Sequence, residues 1–198
     1  YSLTTTETAL EEIARQISVQ KLPLTTQTVR DYHQHPTYIQ ALVQSIQTHW
    51  QTHGQPNFAN GDKLLLSFHG IPERNVRLGD PYQAQCEATH RALSTALTTA
   101  FNLPNDAVQL SYQSRFGAQK WLQPYSIDTL TQLAQSGTRR VDVLCPGFSA
   151  DCLETLEEVA HQLKAVFLDN GGHSYHYIPC LNTDSAHIEM MAQLSQLS

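Results

Sequence analysis

The chain has 198 residues, of which 40% are hydrophobic and 15% charged, a composition typical of one globular domain rather than a disordered chain. Its 12 basic and 18 acidic side chains give a formal net charge of -6. Because no basic cluster of five or more residues occurs, the charge pattern excludes nucleic-acid binding and argues against tight docking on anionic lipid.

Apolar periodicity predicts two helices in the first quarter of the chain. Residues 6–18 and 36–50 carry apolar side chains at helical spacing, and Pro36 suits the first turn of the second helix. A short extended stretch over residues 22–29 separates them. The stretch 54–61 is rich in Asn, Gly and Pro and is predicted to be a loop.

The rest of the chain alternates short apolar runs with helical patterns. Strands are predicted over 63–68, 108–112, 141–145 and 175–178, and helices over 81–100, 127–135, 151–167 and 187–197. About five strand–helix repeats of this kind predict an α/β fold with a doubly wound, mostly parallel sheet flanked by helices, a three-layer arrangement of the Rossmann type. Ligands bind such sheets beyond the carboxyl ends of the strands, so residues that follow strands are candidates for a site.

His69 comes directly after the predicted strand 63–68. It is either hydrogen-bonded into a turn or a neutral base that faces the cleft. The motif Gly79-Asp80-Pro81-Tyr82 is a turn before the next helix, with Asp80 as the N-cap and Pro81 at the first helical position. Taken alone, this second motif is structural.

Acidic residues follow the predicted strand 141–145. Asp151 and Glu154 have capping-box spacing, which local structure alone explains. However, Asp151, Glu154 and Glu158 at i, i+3 and i+7 would share one face of an α-helix, whereas Glu157 would point off it. Carboxylates beside a neutral imidazole suit a divalent first-row metal or proton transfer.

Arg115 and Trp121 follow the predicted strand 108–112. An arginine and a tryptophan at this position could hold a flat aromatic ligand that bears carboxylates. The alternative is a surface ion pair and an aromatic residue of the core. The sequence does not decide between them.

The four cysteines, Cys86, Cys145, Cys152 and Cys180, are widely spaced and form no CxxC pair. This spacing disfavours a zinc knuckle and favours reduced thiols and a cytoplasmic location over a disulfide framework. No run of 18 apolar residues is present, so membrane association is expected to be peripheral at most.

Together these segments resemble the ferrochelatase family over nearly the whole chain. The resemblance is carried by Ser67-Phe68-His69-Gly70-Ile71-Pro72, Gly79-Asp80-Pro81-Tyr82, Ser114-Arg115-Phe116-Gly117, Trp121-Leu122-Gln123-Pro124, the stretch from Cys145 to Leu156, and Tyr177-Ile178-Pro179-Cys180-Leu181-Asn182. It implies a lyase that inserts Fe2+ into a porphyrin, most simply protoporphyrin IX, in haem biosynthesis. The open alternatives are a cobalt or nickel chelatase and a non-catalytic module that binds metal or tetrapyrrole.

The resemblance also implies roles for individual residues. His69 and Glu154 correspond to the catalytic pair, and Asp151 and Glu158 join them in a metal-binding line. Substrate-binding positions by the same resemblance are Trp121, Arg115 and Tyr82. Cys152 stands where many relatives have a second histidine.

The partners follow from the same resemblance. Porphyrin and ferrous iron are the expected substrates, with no cofactor beyond that Fe2+ and no iron–sulfur cluster. Residues 1–198 correspond to the C-terminal chelatase domain, so the family's N-terminal lobe is expected to be absent from this sequence and to act as a partner. The terminal helix, within 184–198, carries Met190, Leu194 and Leu197 on one face, which is expected to pack partly on that lobe.

Overall fold

A four-stranded parallel sheet lies at the centre of the computed structural model, which describes residues 1–196. The strands are β1 (Lys63–His69), β2 (Val108–Gln113), β3 (Arg140–Leu144) and β4 (Ser174–Ile178). Their order across the sheet is β2-β1-β3-β4, and all three neighbouring pairs are parallel. The chain therefore moves outward from β1 to β2, then continues on the other side through β3 to β4. This reversal confirms the doubly wound fold.

Helices cover both faces of the sheet. They are α1 (Thr8–Val19), α2 (Pro36–His53), α3 (Glu73–Arg77), α4 (Tyr82–Phe101), α5 (Ser126–Gln135), α6 (Lys164–Asp169) and α7 (Ser185–Gln196). Two π-helices, Leu3–Glu7 and Glu154–Leu163, run directly into α1 and α6, and a 3₁₀ turn spans Phe58–Asn60.

The predicted strands are confirmed, each within one residue at either end. About five strand–helix repeats were predicted, but the sheet of residues 1–196 has four strands. The extended stretch 22–29 does not pair with any of them. The predicted helix 151–167 begins later, at Glu154, and its first ten residues are π-helical. The short α3 was not predicted.

The core has two halves, one on each side of the sheet, because successive side chains of a strand point to opposite faces. Leu64 and Leu66 of β1 pack toward α2, α4 and α7, while Leu65 packs toward α5 and the π-helix 154–163. All three leucines are 0% exposed. This two-sided burial explains the continuous apolar run of β1.

The terminal helix packs on this domain itself. Met190 and Leu194 are buried in the same half of the core as α2, whereas Leu197 lies outside the described residues. The prediction that this apolar face packs partly on another lobe is therefore wrong for Met190 and Leu194. By contrast, α1 contributes no buried residue, and its Ile13 is 45% exposed.

One carboxylate, Asp142, lies fully buried in the central strand β3. Its oxygens accept hydrogen bonds from the indole N–H of Trp50 at 2.8 Å and from Nε of Arg140 at 2.8 Å. Arg140 continues to the main-chain carbonyl of Gly54 at 2.8 Å. Because every charge in this group has a partner, β3 and the end of α2 are joined by a satisfied polar cluster.

Candidate active site

The candidate site lies at the carboxyl ends of β1 and β3, where the two connections leave toward opposite faces of the sheet. His69 is the last residue of β1, and the segment that leads to the π-helix begins at Cys145. A crevice at such a reversal is where doubly wound folds bind ligands. The ring of Phe148 lies 6.3 Å from that of His69, so the two segments meet as predicted.

His69 is half-buried and held by its own turn. Its Nδ1 lies 2.6 Å from the carbonyl oxygen of Gly70. Because a carbonyl only accepts, Nδ1 carries a proton, and Nε2 is the nitrogen that holds the lone pair when the ring is uncharged. The main-chain carbonyl of His69 in turn accepts from the hydroxyl of Tyr82 at 2.8 Å. The turn hydrogen bond and an available basic nitrogen are thus present together.

Glu154 opens the π-helix and is exposed. A hydrogen bond from the Cys152 thiol is the main influence that lowers the pKa of the Glu154 carboxyl, and the neighbouring His69 charge lowers it further. Glu154 is therefore ionised at neutral pH, within electrostatic range of His69. Its main-chain carbonyl is held by the side-chain amide of Gln113 at 3.2 Å.

Asp151 is bound on both oxygens by protein groups. Oδ1 accepts from the Tyr177 hydroxyl at 2.5 Å and Oδ2 from the Asn182 amide at 2.7 Å. Although burial raises it, the pKa of Asp151 lies below its ordinary value because these hydrogen bonds favour the charged form. In this arrangement Asp151 fastens the β4–α7 loop to the start of the π-helix.

Glu158 is held at the end of β2. Its carboxylate accepts from the N–H of Ser114 at 2.6 Å and also from the Ser114 hydroxyl. Ser114 has a positive φ of 64°, a left-handed conformation that is uncommon for a residue with a side chain. The two hydrogen bonds to Glu158 thus stabilise an unusual turn.

The structure therefore brings together two of the four predicted metal-binding residues, His69 and Glu154. The prediction that Asp151, Glu154 and Glu158 share one α-helical face is wrong, because Asp151 precedes the helix and residues 154–163 are π-helical. Within residues 1–196, no group of three or more His, Cys, Asp or Glu side chains is arranged to hold a metal ion. A metal-binding role for these residues stays a prediction.

The predicted aromatic contact, Trp121, lies beside His69 with ring centroids 6.2 Å apart. Its indole N–H is buried and has no partner among residues 1–196. Gly70 makes this placement possible, since an added Cβ there would lie 3.2 Å from Cε3 of Trp121 and 3.0 Å from the carbonyl oxygen of Gln113. The guanidinium of Arg115, the predicted carboxylate contact, lies over the Tyr125 ring, 5.2 Å from its centroid.

Two contributors were missed by sequence reasoning, Phe148 and Gln113. Phe148 follows β3, as Asp151 does, so its position after a strand end could have indicated it as a site residue. Gln113 is 3% exposed and ends β2, and nothing in its local sequence indicates the partner of its side chain.

A cavity of about 320 Å³ adjoins this site. Tyr82, Phe68 and Gly147 line it from the sheet side, and Tyr1 and Arg30 line it from the opposite side. A larger cavity of about 500 Å³ lies between α2 and the β4–α7 loop, away from His69 and Glu154. The smaller cavity adjoins the candidate site through Tyr82, which lines it and donates a hydrogen bond to the main-chain carbonyl of His69.

The four cysteines are free. Burial raises the pKa of the Cys180 thiol to about 12 and also raises that of Cys145, so both remain protonated at neutral pH. Cys152, beside Glu154, is partly exposed. Among the residues described, no helix is both long and apolar enough to cross a membrane.

The strand order and the helices on both faces define an α/β domain of the doubly wound class. A model of the ferrochelatase family matches residues 1–197, and the chain therefore belongs to the ferrochelatase family. The chain is 47% identical over 196 residues to a ferrochelatase of Vibrio cholerae serotype O1, covering 98% of this chain and 58% of that protein.

A second relative, a ferrochelatase of Hamiltonella defensa, is 54% identical over 169 residues, which cover 85% of this chain and 50% of that protein. The chain thus spans about half the length of the curated relatives that it matches.

Proposed function

We propose that this chain carries the metal-handling part of a lyase that inserts Fe2+ into a porphyrin, with protoporphyrin IX as the expected substrate in haem biosynthesis. Family membership supports the reaction class. The observation that carries the proposal for this chain is the placement of the His69 imidazole within electrostatic range of the ionised Glu154 carboxylate, at the crevice of the sheet.

The chemistry of metal insertion needs both groups. Two pyrrole protons must leave the ring and the hydrated ion must lose water. Nε2 of His69 is the proton acceptor, since its lone pair is available when Nδ1 is bound to Gly70. Glu154 takes a proton or passes the ion. A planar porphyrin must also bend to expose a nitrogen lone pair, and binding energy elsewhere on the ring supplies that distortion.

Porphyrin contacts are proposed on the apolar rim of the crevice. Trp121 offers an aromatic face beside His69, and Arg115 offers a guanidinium to a porphyrin carboxylate. Phe116 is 82% exposed and Leu153 is 75% exposed, and both follow strand ends at this edge of the sheet. Exposed apolar side chains grouped at a site commonly mark a binding surface.

The rest of the cleft is proposed to come from a segment outside this sequence, the N-terminal lobe of the family. The share of each relative that this chain covers, 58% and 50%, supports this proposal. Several expectations stay predictions. They are that no further cofactor and no iron–sulfur cluster is needed, that membrane contact is at most peripheral, and that the location is cytoplasmic.

Zinc–porphyrin fluorescence tests the proposal directly. The complete natural protein should form metalloporphyrin from zinc and protoporphyrin IX, and Glu154→Gln should slow it strongly. Absorbance changes on porphyrin addition without any metalloporphyrin would contradict an enzyme and indicate a binding module instead. Insertion of cobalt or nickel with exclusion of iron would indicate a chelatase of another tetrapyrrole pathway.

A further inference from the structure

Gln113 is bonded to both sides of the proposed catalytic pair. Its main-chain carbonyl accepts from the N–H of Gly70, the residue after His69, at 2.8 Å. Its side-chain Nε2 donates to the main-chain carbonyl of Glu154 at 3.2 Å. In the sheet, Gln113 is also the direct strand partner of His69. One buried residue thus joins the end of β1 to the first turn of the π-helix.

The orientation of the Gln113 amide follows from elementary chemistry. A main-chain carbonyl can only accept, so Nε2 must face Glu154 and Oε1 must face Ser67, whose hydroxyl lies 2.7 Å away. Ser67 therefore donates to Gln113 and accepts from Ser126 at 2.8 Å. Ser126 in turn accepts from Ser111 at 2.8 Å. The chain of donors runs in one direction from Ser111 to Glu154.

This relay is sealed from solvent and spans three elements. Ser67 in β1 and Ser111 in β2 are 0% exposed, and Ser126 at the start of α5 is 1% exposed. In a low-dielectric interior an unpaired hydroxyl or amide is costly, so the whole set keeps its hydrogen bonds or rearranges together. The Gln113 side chain therefore has one well-defined position.

We infer that Gln113 is a positioning residue that sets the spacing between His69 and Glu154. It contacts neither imidazole nor carboxylate of the pair; it acts through the main chain on each side, at Gly70 and Glu154. The inference rests on the proposed function, since spacing matters only if both groups act on one substrate. A misplaced reacting group lowers a rate even when the fold survives.

The test uses Gln113→Met in the complete natural protein, with zinc and protoporphyrin IX. Methionine keeps a similar length but cannot donate to Glu154. We expect kcat to fall roughly ten- to a hundred-fold while KM for porphyrin stays within about two-fold. A purely structural role would not lower kcat while leaving KM for porphyrin nearly unchanged.

Tyr175→Phe is the matched control. The Tyr175 hydroxyl is buried and donates to the carbonyl of Val159 at 2.7 Å, so this variant also removes a donor from a carbonyl of the same π-helix. It leaves the Glu154 end intact, and kcat should stay at the wild-type level. Should Gln113→Met fail to fold, Ser67→Ala gives a second test, because it removes the closer of the two donors to the Gln113 amide oxygen, at 2.7 Å, and leaves the Cys145 thiol at 3.5 Å.

The outcomes separate the two proposals. If Glu154→Gln impairs the enzyme but Gln113→Met or Ser67→Ala folds and keeps the wild-type kcat, the positioning role alone is overturned. An equal loss in Tyr175→Phe would also overturn it, since the effect would then belong to the π-helix as a whole. A wild-type protein that forms no metalloporphyrin, or that is unaffected by Glu154→Gln, would overturn the proposed function itself.

Discussion

The hydroxyl of Tyr82 donates a hydrogen bond of 2.8 Å to the main-chain carbonyl of His69. The side chain that the family resemblance assigns to substrate binding thus also holds the main chain of the proposed base. Tyr82→Phe should lower the free energy of unfolding by about 1 kcal/mol, the net contribution of one buried hydrogen bond. It should also slow metal insertion, because His69 gains freedom. Denaturant unfolding and zinc–porphyrin kinetics measure the two effects, and an unchanged rate in a destabilised protein would refute the second.

His69→Ala should remove the proposed proton acceptor. General acid–base groups contribute about a hundred- to ten-thousand-fold, and turnover should fall within this range. The fold should survive, because His69 is only half-buried at a strand end. Glu154→Gln should be similarly damaging, whereas exposed Glu157 provides the control, Glu157→Gln, with nearly wild-type turnover. Steady-state rates of the folded variants measure these effects. A fully active His69→Ala protein would rule out His69 as the proton acceptor.

Stability should depend on pH through His49. Burial lowers its pKa to about 4 from 6.5; nearby Asp142 opposes this shift, and His53, His176 and Arg140 reinforce it. Because the folded pKa lies below the unfolded one, the neutral ring is favoured in the folded state. The contribution of neutral His49 to the free energy of unfolding is complete above pH 6.5, and it is lost as the pH falls from 6.5 toward about 4.

Urea unfolding at about pH 7 and about pH 5 measures this dependence. His49→Gln should flatten it, because glutamine does not titrate. His161→Gln, at an exposed position of the π-helix, should leave the pH dependence unchanged. A pH dependence that survives in His49→Gln would assign it to other groups.

Gly172→Ala should destabilise the domain by overpacking. An added Cβ would lie 2.2 Å from Cε1 and 2.4 Å from Cδ1 of Phe167, whose ring is 0% exposed in the core. We expect a loss of about 1–3 kcal/mol, since the ring has no free space to enter. Gly147→Ala is the control, because its Cβ would meet Phe68 at an ordinary 3.5 Å. Equal denaturation midpoints for the two variants would contradict the argument.

Sequence patterns predicted the sheet well, because a strand that is buried on both faces is a continuous apolar run in the sequence. The run Leu64 to Leu66 is apolar without alternation, and this is what a central parallel strand requires. The same reasoning placed His69 and the segment after β3 at one edge of the sheet, and this placement needed only local pattern and topology. The catalytic roles of His69 and Glu154 came from family resemblance and stay predictions.

Other features depend on contacts between distant residues. The π-helix 154–163 has apolar spacing close to that of an α-helix, so periodicity did not distinguish them. Asp151 was predicted as a helix cap or a metal ligand, but its hydrogen-bond partners come from β4, with Tyr177, and from the loop after it, with Asn182. The five-residue α3 is too short for a periodic signal. Tertiary packing, rather than local sequence, determines all three.

The buried carboxylate of Asp142 has a consequence for how the strands pair during folding. A slip of β3 by one residue would turn Asp142 to the opposite face, among Leu130, Val159 and Phe167, far from the indole of Trp50. An unpartnered charge there would cost far more than any apolar mismatch. Strand β3 is therefore expected to tolerate many exchanges between hydrophobic residues, but to pair readily in the wrong register in Asp142→Val. The main contribution of Asp142 is thus to specify the register of β3, more than to stabilise the fold.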